Sequence, residues 1–231
     1  MSEATSSGGS KIAVFDLDGT ITYRDTYVDF LLFCFRKRPL RVLRGGELIV
    51  YLLMYKAGYR SNHWLKSKYL GTIAGGLGGA ELEGICEEFC LNTVKRNFKP
   101  KALAELNSLK KRGYTLVLAT ASFGFYVERL YSELKMDHLL CSNAKLDSRG
   151  RLTGDIEGKN CIGSEKADRL QALCNTLSWD NISLAYSDDI VDLPLFEMAD
   201  KAFLVDPAGK TAARAEQLGY PILNWRQESA Q

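Results

Sequence analysis

Residues 11–20 read KIAVFDLDGT, and the fold is decided here. Ile12 to Phe15 is a short apolar run that stops at two acids and a Gly-Thr turn. A run without polar alternation is the pattern of a strand buried on both faces of a parallel sheet. Alternate strand residues face one side. Asp16 and Asp18, one residue apart, can therefore both address a ligand at the strand's end.

Downstream, strand and helix patterns alternate. Pro100 opens a helix over 101–113 that Gly113 closes, and YTLVLATAS (114–122) is a second buried strand. A helix over 123–134 follows, with Val127, Leu130, Tyr131 and Leu134 on one face. Segment 138–160 reads as short strands with a hairpin turn at Gly150. Then come a helix over 165–177, a strand ISLAYSDD (182–189) and a short helix LPLFEMAD (193–200). Strands KAFLVDP (201–207) and YPILNW (220–225) close the chain. This rhythm predicts an α/β fold, a Rossmann-like doubly wound parallel sheet. Residues 26–98 break it: they are helical and basic and read as an insertion. The expected organisation is a disordered tail over 1–10, a catalytic core of 11–25 and 99–231, and a helical cap over 26–98.

The 231 residues carry a formal charge of +2, which gives no global signal for a polyanion, and no nucleic acid is expected as partner. The charge is uneven: Arg24 to Lys68 holds ten Lys/Arg against three Asp/Glu. The six cysteines show no CxxC and no zinc spacing; Cys86 and Cys90 share an apolar helical face and read as buried thiols. The leader MSEATSSGGS lacks a basic start and an apolar core, so a cytoplasmic setting is expected.

Ligands of open α/β sheets bind beyond the carboxyl ends of the strands. This sequence puts Asp16 and Asp18 there, Thr120 and Ser122 after the second strand, and Asp188, Asp189 and Asp192 after the third. Lys166 opens the intervening helix. Converging carboxylates repel, so their pKa values rise or a cation neutralises them. Oxygen ligands without His or Cys favour Mg²⁺. Thr120, Lys166 and the helix N-terminus that follows Thr120 supply anion donors. Acids, cation and anion donors together point to a phosphoryl group. Asp16 is placed to attack phosphorus. Asp18 is placed to protonate the leaving oxygen and then deprotonate water.

FDLDGT at 15–20, VLAT at 117–120, Lys166 and SDDIVDLP at 187–194 resemble, in order, the four motifs of the haloacid dehalogenase (HAD) superfamily. The resemblance covers about 11–225. It implies Asp16 as nucleophile and Mg²⁺ ligand, and Asp18 as general acid/base that reaches the metal through its main-chain carbonyl. It implies Thr120 and Lys166 as phosphate binders, Asp188 as the third metal ligand, and Asp189 and Asp192 as supports behind it. Ser187 and Asp189 depart from the Gly found at these places in relatives, so Asp188 and Asp189 both remain candidate ligands, with Asp188 favoured. GRLTGDIEGKNCIGSEK (150–166) and DLPLFEMAD (192–200) are similar to the phosphoserine-phosphatase-like subfamily. The basic, apolar insertion resembles bacterial phosphatidylglycerophosphate phosphatases more weakly.

The implied activity is a Mg²⁺-dependent phosphatase acting on a small phosphorylated metabolite such as an amino-acid or amino-alcohol phosphate. Two alternatives stand: a phosphatase of a phospholipid head group at the anionic inner membrane face, and a non-catalytic binding module. Transfer to an acceptor other than water would use the same residues. Arg36, Arg38, Arg41, Arg44, Arg60 and His63 are the candidate cap contacts. The apolar run Leu48–Tyr55 is too short to span a bilayer. It is expected as a helix packed within the cap, with a half-exposed face as the alternative.

Overall fold

The computed structural model describes residues 11–226; the tail expected over 1–10 lies outside them. Strand β1 (Ile12–Phe15) is wholly buried. Its side chains alternate between two cores: Ala13 and Phe15 enter one, Ile12 and Val14 the other. β2 (Thr115–Phe123) divides Leu116 and Leu118 from Val117 and Ala119 in the same way. The absence of polar alternation thus records burial on both faces.

The remaining strands are β3 (His138–Leu146), β4 (Leu152–Glu157), β5 (Ile182–Ser187), β6 (Ala199–Val205) and β7 (Ile222–Leu223). They order as β4-β3-β2-β1-β5-β6-β7. All pairs are parallel except the β3–β4 hairpin, which turns through Gly150 with φ +70°. The doubly wound sheet is borne out. The order of winding reverses at β1, with β2 on one side and β5 on the other, and the crevice opens there beyond the carboxyl ends of these strands. The expected last strand is only two residues long, and part of the expected helix over 193–200 is the start of β6.

Between β1 and β2 the chain forms α1 (Thr26–Lys37), α2 (Gly45–Lys56), α3 (Asn62–Ile73), α4 (Gly79–Arg96) and α5 (Pro100–Lys111). The Asp25 carboxylate caps α1 by accepting from Val28 N at 2.9 Å. Ser61 caps α3. Phe30 of α1 stacks on Tyr126 at 4.9 Å, and Phe89 of α4 meets the same ring edge-on at 5.5 Å. Tyr126 belongs to α6 (Gly124–Glu133), so this aromatic cluster binds the inserted helices to the sheet's own layer. A second tie joins α3 to β4. A Cβ on Gly154 would lie 2.3 Å from Gly71 Cα, so only glycine permits the approach. The other face of the sheet carries α7 (Ser164–Leu177), α8 (Leu193–Phe196) and α9 (Gly209–Leu218).

The run Leu48–Tyr55 is helical, as part of α2, but its expected packing within the insertion is corrected: α2 has no buried residue. Leu48, Tyr51 and Leu52 are half-buried toward α3, where Tyr69 Oη donates to Leu48 O at 3.0 Å. Ile49, Val50 and Leu53 are exposed. The apolar residues run all round this helix, so packing one flank leaves the other in solvent. Cys86 and Cys90 are buried and free, as read. No described helix is long and apolar enough to cross a membrane.

Candidate active site

Asp16 follows β1 directly, and its N–H still pairs with Tyr186 O of β5 at 2.9 Å. The chain then turns through Leu17–Ile21, where Gly19 takes φ +78°. Lys166, in the first turn of α7, lies 150 residues away in sequence and is 2 % exposed. Its Nζ stands 2.8 Å from Asp16 Oδ1 and 2.5 Å from Asp192 Oδ2. Burial works against the lysine's charge, but the two carboxylates outweigh it and hold the pKa above the usual lysine value. Ser187 Oγ donates to the same Asp192 oxygen at 2.7 Å, so the hydroxyl at this position helps to orient Asp192.

Asp18 points toward the inserted helices. Its carboxylate accepts from Thr26 N and Ser122 Oγ, each at 2.6 Å, and from Thr120 Oγ1 at 3.5 Å. Ser122 N donates in turn to Thr120 Oγ1 at 3.0 Å. β2 runs on to Phe123 with a register shift after Ala119, so α6 begins at Gly124, not directly after Thr120.

Asp188 and Asp189 part ways. Asp189 is exposed and its Oδ1 accepts from Val191 N at 3.0 Å, capping the turn Ile190–Asp192. The Asp188 carboxylate packs against Gly19, where a Cβ would sit 2.2 Å from its Oδ2. Burial first, and then the charges of Asp189, Asp192 and Asp18, raise the Asp188 carboxyl to about 7. Burial also pushes Asp16 well above the usual carboxylate range; Lys166 opposes this, while Asp192, Asp188 and Asp18 add to it. Asp16 and Asp192 thus face one ammonium, with Asp18 and Asp188 close by, and burial and these neighbouring charges keep the Asp16 and Asp188 carboxyls from ionising readily.

Among the described residues, no three His, Cys, Asp or Glu side chains form a complete metal cage. A hard cation that keeps most of its waters needs fewer side chains than that. The raised carboxyls of Asp16 and Asp188 are the electrostatic sign of a place suited to positive charge. The donor set fits Mg²⁺.

The six cap candidates do not gather here. Arg38 and Arg41 donate to main-chain oxygens of Thr72, Ile73 and Gly75, where they close the end of α3. Arg44 pairs with Glu47, and Arg60 lies over Trp64. Arg36 lines a separate groove with Arg24 and Arg96, and His63 is exposed. A charged side chain that does reach the site from the insertion is Lys66 of α3, which sequence reasoning missed. Its Nζ donates to Ala121 O and, at 2.9 Å, to Asn160 Oδ1. Nothing in the local pattern separates it from the exposed Lys68 beside it.

Residues 13–197 match the family model of the haloacid dehalogenase-like hydrolases. Protein CicA of Caulobacter vibrioides is 27% identical over 192 residues, covering 82% of this chain and 83% of CicA. A probable phosphatase of Mycobacterium tuberculosis is 24% identical over 217 residues, covering 92% of this chain and 75% of the relative. A phospho-aspartyl intermediate analogue of phosphoserine phosphatase superposes with a TM-score of 0.67 at 18% identity, covering 95% of each chain. Matched family model, doubly wound sheet and crevice of acids converge, and the chain belongs to the haloacid dehalogenase-like hydrolases.

Proposed function

We propose that this hydrolase is a Mg²⁺-dependent phosphomonoesterase that acts on small phosphate esters through an aspartyl-phosphate on Asp16. One observation carries the reading: Asp16, Asp18, Thr120, Lys166 and Asp188 meet at the carboxyl ends of β1, β2 and β5 although they are scattered along the chain. Asp16 Oδ attacks phosphorus, and the ester P–O bond breaks as Asp18 gives its proton to the leaving oxygen. Asp18 then takes a proton from water, which opens the aspartyl-phosphate and releases phosphate. Lys166 holds Asp16 in place and offsets charge on the phosphoryl oxygens, with Thr120 as a hydroxyl donor. The carboxylates of Asp16 and Asp188 and the main-chain carbonyl of Asp18 would hold Mg²⁺, which supplies charge neutralisation when bound. Asp189, spent on its turn, is the weaker candidate ligand, and Asp192 supports Lys166. The inserted helices α1–α4 act as the cap over this crevice and exclude water from it.

The test compares wild type with Asp16→Asn on p-nitrophenyl phosphate, with Mg²⁺ and with EDTA. Turnover that needs Mg²⁺ and falls at least about a thousandfold in the variant is the expected result. Equal, negligible turnover by both proteins would favour the binding-module alternative.

A second reading places the enzyme at an anionic membrane surface. Its specific support is the outward flank of α2 and the turn before it: Leu40, Leu43, Ile49 and Leu53 are at least 60 % exposed. Arg36, Arg44 and Lys56 flank them, and an apolar face with basic neighbours suits anionic lipid. Failure to co-sediment with phosphatidylglycerol vesicles at low salt would sink it.

A further inference from the structure

Behind Asp18 the helices α1, α2 and α3 line a cleft of about 460 Å³ that opens to solvent. Its inner end is Asp18 itself with Ala121 and Ser122, the residues beside the proposed proton donor. The leaving group must depart on the side of the acid that protonates it, so this cavity is where the leaving group lies. Its walls are apolar: Leu31 and Phe35 from α1, Leu48 from α2, and Leu65, Tyr69 and Ile73 from α3.

The polar side chains in the lining are largely spoken for. Lys66 is its one cationic side chain among the described residues, and its ammonium is bound by Ala121 O and Asn160 Oδ1. The same ammonium lies over the rings of Phe123 and Tyr27, at 4.5 and 5.2 Å. Asp25 accepts the α1 amide of Val28, and Asn160 also accepts from Ser142 Oγ at 2.8 Å. A zwitterionic leaving group would meet the Asp25 carboxylate, the amide of Asn62 and an ammonium already bound, but over most of the wall its charges would face leucines and rings, where unpaired charge is costly. An apolar body would instead displace water from them.

We infer that the substrate is a phosphomonoester with an apolar leaving group, an alkyl, prenyl or acyl-chain alcohol whose body fills the cavity between α1, α2 and α3. This rests on the phosphomonoesterase reading and narrows its substrate class. Such a molecule arrives either free in solution or from a bilayer, and the cavity's chemistry is the same for both. The exposed flank of α2 adjoins the wall through Leu48.

The experiment measures kcat/KM for ethyl, butyl and hexyl phosphate and for O-phosphoserine, with Mg²⁺. Hexadecyl phosphate in phosphatidylcholine vesicles is the membrane-borne arm. Each added methylene that enters the cavity is expected to raise kcat/KM about fourfold. O-phosphoserine should fall near or below ethyl phosphate. Leu48→Gln lowers the hexyl-to-ethyl ratio, whereas Leu91→Gln, on the exposed flank of α4, leaves it unchanged. A steep series in solution, or preference for hexadecyl phosphate in vesicles over ethyl phosphate, supports the inference and separates the two sources. A flat or falling series with intact turnover of ethyl phosphate and O-phosphoserine, and no vesicle preference, overturns it while the phosphatase reading survives. Binding of ethyl- and hexylphosphonate by calorimetry decides the case without turnover. Chain-length-dependent affinity in a protein that hydrolyses nothing would uphold the apolar cavity and remove the reaction; equal affinity would remove the cavity reading too.

Discussion

Gly19 and Asp188 touch across the crevice: a Cβ on Gly19 would stand 2.2 Å from Asp188 Oδ2 and 2.6 Å from its Cγ. The glycine also holds φ +78°, where an L side chain costs about 1–2 kcal/mol. Gly19→Ala therefore does two things at once: it strains the turn after Asp16 and it drives the Asp188 carboxylate away. The expected outcome is a loss of at least about a hundredfold in kcat/KM together with a weaker response to Mg²⁺ in thermal unfolding. An alanine variant with wild-type Mg²⁺ response would show that Asp188 need not sit against Gly19.

The same carboxylate makes stability depend on pH and metal together. In the folded chain Asp188 titrates at about 7, against 3.8 without its surroundings. Between those values the folded form keeps a proton that the unfolded form has lost. Metal-free stability should therefore fall as pH rises from about 4 through 7, by an amount on the order of 4 kcal/mol. Mg²⁺ favours the ionised form, so its stabilising effect grows over the same window. Thermal unfolding at pH 5.5 and 8, with Mg²⁺ or EDTA, reads this directly. Asp188→Asn should flatten the metal-free decline and lose most of the Mg²⁺ response. Equal Mg²⁺ shifts at both pH values would argue against the assignment.

Lys99 and Asp206 form a buttress under the turn that follows Asp16. The lysine side chain is fully buried, its Nζ lies 2.7 Å from Asp206 Oδ2, and it also donates to Gly19 O. The other Asp206 oxygen accepts from the amides of Trp225 and Arg226. Removing one partner leaves a buried charge without its counterion, which costs about 3–5 kcal/mol. Lys99→Met should therefore lower the urea midpoint strongly, and adding Asp206→Asn should recover part of the loss. Two substitutions whose effects simply add would rule out the pair as a unit.

What the sequence discloses of this site is governed by where chemistry coincides with pattern. Asp16, Asp18 and Asp188 end apolar strand runs, and a carboxylate at such an end is conspicuous because nothing in the core asks for it. Lys66 and Lys99 carry no such mark. A lysine on a helix is written the same way whether it faces solvent or a buried carbonyl, and its partners, Asn160 and Asp206, lie about a hundred residues away. The position of α2 was open for a different reason. Its apolar residues have no dominant face, so only the tertiary packing on α3 determines which flank is covered. The contact of Gly71 with Gly154 is likewise a meeting of helix and strand that neither segment encodes alone.

Lys66 offers a pH test that isolates one side chain. Burial lowers its pKa to about 8, against 10.5 for a free lysine; the nearby charges of Asp18 and Asp25 oppose that shift without cancelling it. Below pH 8 the ammonium is charged in both folded and unfolded chains, and the cost of burying it is present in full. Between pH 8 and 10.5 the unfolded chain keeps a proton that the folded chain has given up. Rising pH therefore favours folding over this window. The buried cysteines and tyrosines act in the opposite sense at high pH, so the wild-type curve alone is not diagnostic. The difference between wild type and Lys66→Met cancels them. That difference in unfolding free energy, measured in urea from pH 7 to 10, should move toward the wild type by about 2–3 kcal/mol. Lys66→Arg, whose guanidinium stays charged throughout, should not show the rise. Parallel pH curves for wild type and the methionine variant would mean that Lys66 keeps an ordinary lysine pKa and a wetter surrounding than its contacts with Ala121 O and Asn160 imply.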